Sequence, residues 1–127
     1  MLKKLWQHNN MWDSFKAACE GLWIVLRTER NAGIIAVIGI GVLTAGFILE
    51  VSKIEFMFLL IMVTFVFLCE VFNTLAESIL DMIQPETDPH VKILKDISSA
   101  AVLLASLSSL AIGIIIFSPK ILALLKH

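Results

Sequence analysis

FMFLLIMVTFVFLCEVFNTLAESILD, residues 56–81, changes character partway along. Up to Cys69 it carries no charge, and from there it adds Glu70, Asn73, Glu77 and Asp81. A membrane-spanning helix needs about 20 apolar residues, so the block from Phe56 to Cys69 is too short alone. It reaches spanning length only by continuing through Glu70 towards Ile83. Successive residues of an α-helix are rotated by about 100°, which gathers the four polar residues onto one narrow face. Val71, Phe72, Leu75, Ile79, Leu80 and Ile83 take the other faces. The stretch therefore reads as one membrane helix, 56–83, that ends in an acidic stripe.

The rest of the chain supports a membrane setting. Of 127 residues, 58% are hydrophobic and 17% charged, and the mean hydropathy is +0.89. Soluble domains are about half apolar and a quarter charged. Two further charge-free blocks, 32–49 and 97–118, predict two more spans. Ahead of them, WDSFKAACEGLWIVLRTER (12–30) repeats Trp12, Phe15, Cys19, Leu22 and Leu26 at spacings of three and four. That periodicity predicts an amphipathic surface helix over 12–28. Residues 84–96, QPETDPHVKILKD, carry Pro85 and Pro89 and form the turn before the last span. The expected architecture is an all-α membrane protein, one domain over 1–127, with a surface helix and three transmembrane helices. The opening MLKKLWQHNN has no unbroken apolar region and no small-residue cleavage site, so the first span is expected to insert uncleaved. Lys3, Lys4, Lys16, Arg27 and Arg30 precede that span, and Lys92 and Lys95 precede the third, against Lys53 alone between the first two. This bias, opposed mildly by Lys120 and Lys126, puts the N-terminus and the 84–96 loop in the cytoplasm.

An intramembrane carboxylate costs several kcal/mol and persists only where it faces a bundle interior, a water-filled cavity or a cation. The stripe admits three readings: polar glue between helices, a proton or cation pathway in a small transporter, and a metal-dependent active site. Glu29, Arg30 and Asn31 precede span one, while Lys95 and Asp96 precede span three. By the topology above they share a membrane face with Glu77 and Asp81. Phosphoryl transfer needs such parts: metal-holding acids, a cation on the phosphates and a base at the attacking hydroxyl. No G-x-x-x-x-G-K-[ST] loop occurs, and the mid-span pair Gly39 and Gly41 is expected to serve helix packing. Cys19 and Cys69 lack any paired spacing and are expected as packing residues. His8, His90 and His127 are isolated, which excludes a zinc-type ligand set. With a net charge of −1 and no basic cluster, nothing calls for a nucleic-acid partner.

Four motifs occur in order along the chain: SFKAACEG (14–21), TERN (28–31), ExxNTxxE at Glu70–Glu77 with Asp81 following, and KDISSAAVL (95–103). Together they resemble the small prokaryotic lipid kinases, the diacylglycerol and undecaprenol kinases. GIIIFSPK (113–120), SKIEF (52–56) and SFKAACEG lean to the undecaprenol type. The resemblance implies a kinase that uses ATP and Mg2+ to phosphorylate a lipid hydroxyl in the bacterial inner membrane, as a homotrimer with shared sites. It implies Glu70 as general base and substrate contact, and Glu29 and Glu77 as magnesium ligands on the nucleotide phosphates. Asn73 would order the site, Lys95 would contact the phosphates, and Asp96 would orient Lys95 or bind nucleotide. Glu86, Thr87 and Asp88 match the nucleotide-contacting stretch, whereas Ser98 and Ser99 stand where small Gly or Ala is common, and Ser99 is able to donate to substrate. The chain departs from the pattern at Ala17, where diacylglycerol kinases tend to have a nucleotide-touching tyrosine. It departs again at Ala32 and Gly33, where an aromatic or basic residue is usual.

Overall fold

A computed structural model of the chain describes residues 10–84 and 88–127. Four α-helices follow one another: α1 (Met11–Thr28), α2 (Arg30–Ile48), α3 (Lys53–Ile83) and α4 (Pro89–Leu125). No strand occurs among the described residues, and α2, α3 and α4 are each long and apolar enough to cross a membrane. The expected fold class, an all-α membrane protein, is therefore the observed one.

Local chemistry sets the helix ends. Asn10 opens α1 by accepting from the Asp13 backbone N–H at 2.9 Å, which satisfies one of the unpaired donors at a helix start. Glu29, in extended conformation (φ −102°, ψ 111°), separates α1 from α2 by a single residue. Its N–H still donates to the Val25 carbonyl at 2.9 Å, and its carbonyl accepts from Gly33 at 3.2 Å. Glu29 thus keeps both of its own backbone hydrogen bonds through the corner. Between α2 and α3 the reversal runs through Glu50, which adopts a left-handed φ of 50°. Ser52 and Glu55 then close a reciprocal capping box at the start of α3, with bonds of 3.2 and 2.8 Å.

The third span differs most from its expected bounds. Charge-free sequence marks 97–118, but α4 runs on at both ends through charged residues. Asp88 caps it by accepting from the His90 N–H at 2.8 Å, and Pro89 occupies the first turn, where its missing donor is not needed. Pro89 thus starts a helix instead of holding the turn open. At 1.5 Å per residue, α2 is about 28 Å long, α3 about 46 Å and α4 about 55 Å. The hydrocarbon core of a bilayer is about 30 Å thick, so α2 just crosses it while α3 and α4 project beyond.

α3 is the central helix, packed antiparallel on both α2 and α4, with α4 as its larger partner. The α2–α3 seam is close because glycine faces it. A Cβ built at Gly39 would lie 2.5 Å from Val63 Cγ1, and one at Gly46 would lie 3.0 Å from Leu59 Cδ1. Gly41 has open space around it, so the expectation of a packing pair holds for Gly39 and fails for Gly41; Gly46, seven residues on, is the true companion. Two ion pairs mark the α3–α4 register: Lys95 with Asp81 at one end, Lys120 with Glu55 at 3.8 Å at the other. α1 buries no residue and leaves Trp12, Phe15, Leu22 and Trp23 exposed, an uncovered apolar side of the kind that lies in a membrane interface. Cys19, expected to pack, is exposed, because α1 turns little of its surface to the bundle.

Candidate active site

The corner at Glu29, the last third of α3 and the first turns of α4 meet at one end of the bundle. The stripe on α3 is graded: Glu70 is 3% exposed and Asn73 8%, Glu77 is half-buried and Asp81 exposed. Register explains the gradient. The glycine seam places Ala32 of α2 level with Glu70, and the α3–α4 ion pairs place Ala105 there from the other side. Both alanines are buried, at 0% and 2% exposure, so two small side chains let the helices close around the Glu70 carboxylate. Ala32, one of the positions that depart from the family pattern, is thus a buried packing residue level with Glu70.

Glu29 reaches the same region from the corner. The charges of Glu77 and Glu29 both act on Glu70, so three acids from two segments share one electrostatic neighbourhood. No cation pairs with Glu70, Glu77 or Glu29 among the described residues. Nor do three His, Cys, Asp or Glu side chains converge tightly enough there to cage a metal ion by themselves. Asn73 donates from Nδ2 to Glu77 Oε1 at 3.4 Å, one turn along the same helix. Its Oδ1 is buried with no hydrogen-bond partner. A buried amide oxygen left unpaired costs about 1–3 kcal/mol, so this atom is an acceptor still open to a partner.

Lys95 pairs with Asp81 across α3 and α4, whereas Asp96 bonds Lys92 at 2.8 Å on the adjacent face of α4. The carboxylate paired with Lys95 is therefore Asp81, while Asp96 pairs with Lys92. Asp88 is engaged in capping α4 and in a 3.1 Å contact with His90. Ser99 is exposed, and its neighbour Ser98 is half-buried. Glu86 and Thr87 lie outside the described residues. On the far side of Glu70, an apolar groove of about 520 Å3 opens between α2, α3 and α4. Ile35, Val66 and Ser106 line the end nearest Glu70.

Three helices able to span a membrane, with a buried acid one helical turn beyond the Val66 end of an apolar groove and further acids, an amide and a lysine past it, give the arrangement of a small membrane enzyme. The sequence profile described as prokaryotic diacylglycerol kinase matches residues 16–117, and the chain belongs to that family. It is 36% identical over 113 residues to an undecaprenol kinase of Bacillus subtilis, covering 89% of this chain and 92% of that protein. A diacylglycerol kinase of Synechocystis sp. is 31% identical over 125 residues, covering 97% of this chain and 71% of that protein. The chain is thus a lipid kinase with ATP as its co-substrate. Membership decides for phosphoryl transfer over a transport pathway along the stripe.

Proposed function

We propose that the protein transfers the γ-phosphoryl group of ATP, with Mg2+, to the hydroxyl of a membrane lipid, undecaprenol in preference to diacylglycerol. The observation that carries this reading is Glu70: a carboxylate 3% exposed, with no cation on it, beside an apolar groove. A lipid chain seated in such a groove presents its hydroxyl at the level of Glu70. The Glu70 carboxylate accepts the hydroxyl proton as the lipid oxygen bonds to the γ-phosphorus. The bond from that phosphorus to the bridging oxygen breaks, and ADP leaves. Burial keeps bulk water from competing with the lipid hydroxyl.

The donor set suits magnesium, which prefers oxygen ligands, keeps several waters and is bound by one or two carboxylates together with phosphate. Glu29 and Glu77 are the carboxylates that would hold it, and the open Asn73 Oδ1 can accept from a water in its shell or from the substrate hydroxyl. Bound there, Mg2+ supplies charge neutralisation on the phosphates. Lys95 contacts the phosphates, while Asp96, Asp88 and the 86–87 segment serve the nucleotide and Ser99 the substrate.

The undecaprenol preference is supported by SFKAACEG, SKIEF and FSPK and by the relative from Bacillus subtilis. The Lys and Arg bias supports an inner-membrane protein with its N-terminus and active site facing the cytoplasm. A homotrimer with shared sites completes the reading: Glu77 and Asp81 are left partly open by the chain's own helices, so a neighbouring copy has room to close over them. The deciding experiment is phosphorylation of undecaprenol and of diacylglycerol in mixed micelles with Mg-ATP, for the wild type and Glu70→Gln. Loss of about a hundredfold or more in turnover is the scale of a missing general base. Near-normal turnover by a folded Glu70→Gln protein removes Glu70 from that role.

A further inference from the structure

The polar end of the bundle holds one ion pair that phosphoryl transfer does not by itself require. Lys95 of α4 donates to the Asp81 carboxylate of α3. Asp96, the adjacent acid, is turned away and bonded to Lys92 at 2.8 Å, so it does not steer Lys95. Lys95 is also not free to wander: its side chain is only 34% exposed, so packing and Asp81 set its direction together. Asp81 in turn is the outermost member of the stripe, about one turn beyond Glu77 on the same face. An ammonium has three N–H donors; Asp81 takes one of them and leaves two for phosphate oxygens.

We infer that Asp81 is a positioning residue for Lys95. It holds the ammonium over the stripe before nucleotide arrives, so that the phosphates meet a cation already oriented. A lysine without such a partner distributes over many rotamers, and confining it on binding costs conformational entropy. This role rests on the reading of Lys95 as the phosphate contact.

The test is steady-state kinetics of undecaprenol phosphorylation for Asp81→Ala, Asp81→Glu, Lys95→Gln and the Asp81→Ala/Lys95→Gln double variant, with thermal melting of each. Lys95→Gln is expected to remove most of kcat/KM for ATP. Asp81→Ala is expected to lower kcat/KM for ATP about tenfold, within the coupling range of directly contacting groups. KM for undecaprenol and the melting temperature stay unchanged, and Asp81→Glu recovers most of the loss. In the Lys95→Gln background, Asp81→Ala adds nothing further. An equal loss from Asp81→Ala in both backgrounds, or a loss that tracks a lower melting temperature, overturns the inference. A large loss from Lys95→Gln with none from Asp81→Ala sinks the inference while the phosphate role of Lys95 stands. Near-normal kinetics for Lys95→Gln sinks both.

Discussion

One methyl group added at Gly39 tests the seam that brings Glu29 to the stripe. The new Cβ would lie 2.5 Å from Val63 Cγ1, where ordinary contact is 3.4–4 Å, an overlap of about 1 Å. Valine on a helix has one strongly preferred rotamer, so the overlap is relieved mainly by parting α2 from α3. Overpacking of this kind costs about 1–3 kcal/mol, offset by about 1 kcal/mol that alanine gains over glycine within a helix. Gly39→Ala should therefore be destabilised by up to about 2 kcal/mol, the difference between those two figures. Adding Val63→Ala removes the clashing methyl and lets the new one occupy its volume, so the double variant should return towards the wild type. Gly41→Ala, in open space, should be neutral or slightly stabilised. The assay is thermal unfolding in detergent followed by helical circular dichroism, with lipid phosphorylation measured below the transition. Gly39→Ala should also lose activity, because parting the helices moves Glu29 away from Glu70. Indistinguishable melting of Gly39→Ala and Gly41→Ala, or no recovery with Val63→Ala, would refute the close seam.

Glu77→Gln should shift the magnesium titration of activity to higher concentration; an unchanged titration would argue against Glu77 as a ligand. At the other end of the bundle two neighbouring contacts should separate. Ser52→Ala loses a helix cap and should cost about 1 kcal/mol in melting experiments, whereas Lys120→Ala breaks a half-exposed pair and should cost at most about 1 kcal/mol. A larger effect from Lys120→Ala than from Ser52→Ala would mean that this ion pair, not the capping box, holds the hairpin end.

Much of the site was legible because helical periodicity is local. Glu70, Asn73, Glu77 and Asp81 lie on one helix, so their shared face follows from spacing alone. The charge-free blocks likewise marked three spans, since no charge can sit cheaply in hydrocarbon. The ends of α4 were not legible in that way. A helix that leaves the bilayer continues through polar residues, and only the Asp88 cap and Pro89 reveal where it starts.

Partnership between segments was a different matter. The resemblance offered Asp96 either to orient Lys95 or to bind nucleotide, and adjacent residues on a helix point about 100° apart. The antiparallel register of α3 and α4 brings Asp81 to Lys95 instead. Gly39 and Gly41 look alike in the sequence, yet only Gly39 turns towards α3. Ala32 and Ala105 are ordinary small residues until the register sets them on either side of Glu70. Sequence by itself determined the helices, their membrane character and the face on which the acids gather, because each depends on residues a few positions apart. Tertiary structure alone decided which acid is buried, which cation it lacks and which carboxylate holds Lys95, because those depend on how far one helix slides along another.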